Sequence, residues 1–246
     1  MENSGVKKTE IKQQISLDIG LKDSSTFASF YNRGNEQVLA DIANFIDDNQ
    51  IKILYLWGSS GSGKTHLLHA IQNQELEKGG VVYYLPFSNV KNYPVEALEG
   101  LETASLICLD ELEHIAGIKH WEEAVFHLLN RTWENGNKVV IAASGNIQEI
   151  GISLPDLQSR LTWGLNSKLN ELDDVGKQLC LKFRASLRGF ELNEDVCSFL
   201  LKRLPRNMQQ LFEFLELIDK QTLVEKRKVT IPFIKSLLES YLLDKE

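Results

Sequence analysis

Residues 58–65 read Gly-Ser-Ser-Gly-Ser-Gly-Lys-Thr, a complete G-x-x-x-x-G-K-[ST] pattern. No other stretch limits the fold as tightly. Gly58, Gly61 and Gly63 let the backbone turn sharply and aim its N–H groups at phosphate oxygens. Lys64 can reach the β- and γ-phosphates, and the Thr65 hydroxyl can hold Mg²⁺. Such a loop needs a strand before it and a helix after it, whose dipole adds positive potential. Both flanks are present. Residues 51–57 are apolar, β-branched and aromatic, which predicts a buried strand. Residues 66–74 carry helical apolar spacing at Leu67, Leu68, Ala70 and Ile71.

Around this unit, strands and helices alternate. Helical patterns cover 36–46, a short stretch near 95–103, and 120–135. Strand patterns cover 80–85, 105–109, 138–143 and 163–169. Alternation of this kind predicts a five-stranded parallel sheet covered on both faces, an α/β architecture. From about residue 173 only helical patterns remain, over 173–187, 194–204, 207–225 and 230–242. Thr230 suits an N-cap there, with Pro232 in the first turn. The expected organisation is a polar tail (1–22), an α/β nucleotide-binding domain (23–170) and a C-terminal α-helical lid (171–246).

The chain has 246 residues, a formal net charge of −7 and a pI near 5.4. A protein that grips DNA through many phosphates is usually basic, so direct sequence-specific DNA binding is not expected. Small basic clusters (Lys202-Arg203 with Arg206, and Lys226-Arg227-Lys228) read as solvated helix ends. No apolar run approaches a membrane span, and the first residues are polar. Cys108, Cys180 and Cys197 sit in apolar settings and read as buried small hydrophobes in a reducing compartment, which predicts a cytoplasmic protein.

Two carboxylates follow the apolar run 106–109. Asp110 suits a metal ligand, and Glu111 suits the group that orients or deprotonates a water. Thr65 and Asp110 are therefore the expected Mg²⁺ pair. The strand 138–143 leads to Ser144 and Asn146, either of which can sense a γ-phosphate. Arg160, just before the last strand, can project toward a neighbouring site as an arginine finger, or form an ordinary surface ion pair. The histidines show no metal-ligand spacing with a third partner.

Taken together, these blocks resemble the AAA+ ATPases, and within them the DnaA-related proteins of the Hda family. Residues 63–70 (Gly-Lys-Thr-His-Leu-Leu-His-Ala) are similar to the DnaA phosphate loop and helix. Residues 26–30 (Thr-Phe-Ala-Ser-Phe) resemble the segment that closes over adenine, and residues 159–164 (Ser-Arg-Leu-Thr-Trp-Gly) the arginine-finger box. The runs 187–192, 199–204 and 228–233 are similar to the Hda lid. The resemblance implies ATP or ADP as ligand, contacted by Phe30, Gly58, Gly61, Ser62, Gly63, Lys64, Thr65, His66, Asp110 and Asn146. It implies Glu111 and Arg160 as catalytic groups. At the lid position where these ATPases carry a γ-phosphate-contacting arginine, this chain has Gln209, which carries no charge. ADP is then a suitable working ligand.

Gln14-Ile15-Ser16-Leu17-Asp18-Ile19 resembles peptides that dock on the DNA polymerase III sliding clamp (β subunit). Gln14 would make directional hydrogen bonds while Ile15, Leu17 and Ile19 fill apolar pockets. The same alternation also suits an edge strand. Unlike DnaA, this chain is not expected to carry a basic helix-turn-helix after the lid pattern. The expected role is a negative regulator of replication initiation, with DnaA and the clamp as partners and a homodimer as a further option. Two rivals are a stand-alone ATPase of helicase-loader type and a DNA-binding adaptor using the basic lid clusters.

Overall fold

A computed structural model describes residues 25–225 and 228–243. The clamp-like residues Gln14, Ile15, Leu17 and Ile19 lie outside the described residues. The chain builds α1 (Glu36–Asp47), β1 (Ile53–Trp57), α2 (Lys64–Glu77), β2 (Val82–Pro86), β3 (Leu106–Asp110), α3 (Lys119–Glu134), β4 (Lys138–Ala143), α4 (Pro155–Leu161) and β5 (Leu165–Lys168). Four helices follow: α5 (Asp174–Leu187), α6 (Glu194–Arg203), α7 (Met208–Glu225) and α8 (Ile231–Leu243).

The five strands form one parallel sheet in the order β2-β3-β4-β1-β5. Burial on both faces explains why its central strands are almost purely apolar rather than alternating. Within β1, Ile53 and Tyr55 face a core formed with α3 and α4, including Trp121, Leu128 and Leu157. Leu54 and Leu56 face the other core, with Val38, Ile42, Leu67 and Leu68 of α1 and α2. The helices α5–α8 close a third core around Leu181, Leu200, Phe214 and Ile234.

The elements match the sequence expectation closely, with a few differences: 3-10 helices at Phe87–Asn92 and Leu112–Ile115 were not anticipated, and the last strand, expected over 163–169, is Leu165–Lys168. Residues 95–103 are two 3-10 helices, Val95–Leu98 and Leu101–Thr103, rather than one short helix. Gly100 stands between them at φ +82°, a left-handed conformation that breaks the helical path. The helix α4 had no sequence counterpart, because it is short and only Leu157 and Leu161 are buried. The N-terminus of α5 is capped by Asp173, whose side chain accepts from the Gly176 N–H at 2.6 Å. The three cysteines are buried and free of disulfides, and burial pushes their thiols up, Cys197 to about 11. Among the described residues, no helix is long and apolar enough to cross a membrane.

Candidate nucleotide site and arginine edge

The carboxyl ends of β1, β3 and β4 meet above the sheet, where open α/β sheets bind ligands. The phosphate loop leaves β1 there and is enclosed on three sides. A Cβ added to Gly58 would lie 2.4 Å from the Leu169 carbonyl oxygen. A Cβ on Gly63, which sits at φ +103°, would lie 2.8 Å from Phe30 Cε2. One on Gly61 would come within 3.5 Å of the Asn207 side-chain oxygen and the Met208 nitrogen. The loop is thus bounded by the end of β5, the turn that ends at Phe30 and the start of α7. Gly63→Ala should therefore strain the left-handed backbone and push Phe30 aside. An expected loss of roughly tenfold in nucleotide affinity follows from about 1–2 kcal/mol of backbone strain, measurable by titration with a fluorescent ADP analogue.

Lys64 Nζ donates to the Gly58 carbonyl at 2.7 Å and the Ser59 carbonyl at 2.9 Å. Burial lowers its pKa, opposed by the nearby Glu113, Asp110 and Glu111 carboxylates. Thr65 Oγ1 donates to Asp110 Oδ2 at 2.7 Å, and the Tyr84 hydroxyl donates to the same oxygen at 2.9 Å. The Glu111 N–H donates to Asp110 Oδ1 at 2.9 Å. Burial pushes the Asp110 carboxyl up against these hydrogen bonds, and a bound cation would favour its charged form. Ser62 Oγ is buried in the loop with no hydrogen-bond partner. That orphaned hydroxyl, beside turned backbone N–H groups, fits an anionic phosphate. The paired oxygens of Thr65 and Asp110 fit a hard divalent cation that also takes phosphate oxygens. Among the described residues, no three His, Cys, Asp or Glu side chains could hold a metal by themselves.

Glu111 follows directly at φ 59°, ψ 47°, the only non-glycine residue with positive φ among the described residues. That conformation costs about 1–3 kcal/mol, and such outliers cluster where a side chain must be aimed. His66 Nε2 lies 3.0 Å from the Thr26 carbonyl oxygen, and its ring packs 5.6 Å from that of Phe30. His66 thus anchors the 26–30 segment to α2. Past β4, the Ser144 N–H donates to Glu113 at 3.0 Å. The Asn146 side-chain oxygen accepts from the Gln148 and Glu149 N–H groups, both at 3.0 Å, and so caps its own turn.

Arg160 sits in the last turn of α4, away from this cluster. Its guanidinium stacks over Trp163, with Cζ 4.0 Å from the ring centroid, and donates to the Asn130 side-chain oxygen on α3. Among the described residues, no carboxylate pairs with it. On the lid side, Gln209 Nε2 donates to Glu213 at 3.3 Å, and Arg206 pairs with Asp174 across the lid at 3.0 Å.

Sequence reasoning missed three contributors. Tyr84 reaches Asp110 from β2, and the period of two in a strand could have singled it out from Tyr83. Lys177 and Glu171 pair at 2.6 Å, and Ser59 donates to the same Glu171 carboxylate at 3.3 Å, linking the phosphate loop to α5. Glu122 on α3 is fully buried and accepts from Gly117, Ser153 and Leu154 N–H groups and the Ser153 hydroxyl. No local pattern marks either of these.

Residues 21–168, more than half of the chain, match the family model for the bacterial DnaA ATPase domain. The chain belongs to the DnaA ATPase family. Residues 164–238 match the model for the Hda lid domain, so this is an Hda/DnaA-related AAA+ protein. Domain III of the Thermotoga maritima replication initiation protein DnaA superposes with a TM-score of 0.71 at 21% identity, covering 89% of this chain and 97% of that one. AMPPCP-bound DnaA from Aquifex aeolicus superposes with a TM-score of 0.65 at 22% identity, over 81% of this chain and 66% of that one. The Thermotoga maritima RuvB Holliday junction branch migration motor gives 0.61 at 18% identity, over 85% and 68%. These likenesses establish the AAA+ fold: a parallel α/β sheet carrying a phosphate loop, followed by a helical lid.

Proposed function

We propose that this DnaA-related protein is a nucleotide-bound negative regulator of replication initiation that stimulates ATP hydrolysis by DnaA. The observation that carries this reading is the lid. Residues 164–238 match the lid of Hda on a chain whose first part matches the DnaA ATPase domain. Arg160 supports it by its placement on the rim, held by an amide and an aromatic ring rather than by a carboxylate. An arginine left without a carboxylate keeps its charge available for an incoming phosphate.

In this reading, ATP or ADP with Mg²⁺ binds the phosphate loop and orders the lid against it. When bound, the metal supplies charge neutralisation between phosphate oxygens. Lys64 neutralises phosphate charge, Thr65 and Asp110 hold the cation, and Phe30 and His66 shape the adenine side. With Gln209 in place of a charged lid residue, ADP serves as the resting ligand and Glu111 turns over slowly. The tail residues Gln14, Ile15, Leu17 and Ile19 dock on the sliding clamp. Tethering there raises the local concentration beside DnaA on replicated DNA. Arg160 then enters the DnaA nucleotide site in trans.

The test loads DnaA with γ-labelled ATP, adds DNA-loaded clamp, and follows phosphate release with this protein present. Clamp-dependent acceleration is expected, and deletion of residues 14–19 should remove the dependence on clamp. A protein that fails to accelerate release with either ADP or ATP bound is not this regulator. A second reading, a stand-alone ATPase, is favoured by the complete Thr65–Asp110–Tyr84 cluster. Steady turnover without any partner, abolished in Lys64→Ala, would decide for it.

A further inference from the structure

Trp163 is 57% exposed and Trp133 is 38% exposed. Neither belongs to a core, although large aromatic rings seldom stay at a surface without purpose. They meet edge to face, with centroids 5.8 Å apart and planes at 78°. Trp163 is the shelf on which Arg160 lies. The two residues share one backbone turn, in which the Trp163 N–H donates to the Arg160 carbonyl at 3.2 Å. The next residue, Gly164, runs so close to β1 that a Cβ there would lie 2.1 Å from the Ile53 carbonyl oxygen. The chain is therefore fixed on both sides of Trp163, by α4 before it and by the sheet after it.

A stacked guanidinium uses its face for the ring and keeps its N–H groups in the plane. Here the amide of Asn130 engages one of those groups and sets the rotation of the plane. We infer that Trp163, braced by Trp133, is a positioning residue that presets the Arg160 guanidinium for the terminal phosphate of a nucleotide held by a second ATPase. This rests on the finger reading proposed above. An arginine on a bare helix end would sample many rotamers. Misplacement of a reacting group by about 1 Å costs about 10²-fold in rate.

The experiment compares Trp163→Leu, which keeps apolar bulk but loses the ring, with Trp163→Phe, which keeps a smaller ring, and with Arg160→Ala. Single-turnover hydrolysis of ATP on DnaA is followed against the concentration of each full-length variant. This separates the maximal rate from the half-saturating concentration. In parallel, the Arg160 side-chain N–H resonances are recorded, since the ring current of Trp163 shifts them upfield. Trp163→Leu is expected to lower the maximal rate about 10²-fold, with half-saturation unchanged and the upfield shift lost. Trp163→Phe should recover most of both. If Arg160→Ala stops hydrolysis while Trp163→Leu does not, the positioning role is overturned and the finger stands. Hydrolysis that survives Arg160→Ala overturns the finger reading and this inference with it. An Arg160 resonance that does not move in Trp163→Leu overturns the stacked geometry on its own, whatever the rates.

Discussion

Arg160→Ala should reduce stimulated hydrolysis on the partner ATPase by about 10³–10⁵-fold while leaving the fold intact. The magnitude is that of arginine fingers supplied in trans, which offset charge developing on the transferred phosphoryl group. It corresponds to about 4–7 kcal/mol of transition-state stabilisation. The fold should tolerate the change, because Arg160 is half-buried at the rim and anchors no core cluster. Its contacts are the Asn130 amide and the Trp163 face. Arg160→Lys should recover little, since an ammonium keeps the charge but loses the planar fork. Rapid-quench measurement of phosphate release, with a thermal melt as control, checks the result. Release within tenfold of wild type, from a variant that still associates with its partner, would refute the assignment.

Glu122→Ala should lower stability by about 3–5 kcal/mol, the effect of leaving several buried donors without their charged acceptor. Glu122 is wholly buried and joins three segments. It accepts from the Gly117 N–H at 2.7 Å, the Ser153 hydroxyl at 2.6 Å and the Leu154 N–H at 2.8 Å. Burial alone would raise its pKa, but the Ser153, Gly117 and Leu154 hydrogen bonds outweigh burial and hold the carboxyl below its ordinary value. A folded-state pKa below the unfolded one means that the unfolded chain binds protons first as pH falls. The Glu122 contribution is therefore complete at neutral pH and is lost as the solution is acidified through the carboxylate range. Thermal melts should show Tm lower by about 10 °C at pH 7, with the gap to wild type narrowing below the ordinary glutamate pKa. A gap that stays constant on acidification would mean that the loss is one of packing rather than of charge.

The sheet and the phosphate loop were legible because their determinants are local. Gly58 to Thr65 is one contiguous motif, and β1, β3 and β4 are short apolar runs between turn residues. The lid helices were legible from apolar spacing such as Leu211, Phe214, Leu215 and Ile218. What escaped depends on contacts between residues distant in sequence. Glu122 lies on an amphipathic helix and reads as solvated until Ser153 arrives from 31 positions away. Tyr84 acquires its role only when β3 pairs beside β2 and brings Asp110 within reach. Arg160 was singled out from its place before the last strand, but its stacking on Trp163 was not. Residues three apart across a helix end meet only because the chain turns there instead of continuing. Asn146, read as a sensor candidate, directs its acceptor into its own turn, a local geometry that spacing does not reveal.

The two sheet cores draw their buried residues from Val38 to Leu169, and the lid core draws its own from Cys180 to Leu238. The fully buried residues of the cores therefore do not interleave along the chain, and from the N-terminal side Tyr31 packs against the lid core. Opening one need not open the other, so amide protons should fall into two exchange classes with separate protection, as cooperative subunits of a fold do. Residues 170–172 form the seam, with Asn170 donating to the Asn35 and Gly34 region and Glu171 reaching Ser59 and Lys177. A molecule that grips the phosphate loop and α7 together would merge the two classes. The clock of lid exchange then becomes a direct gauge of how long each nucleotide stays.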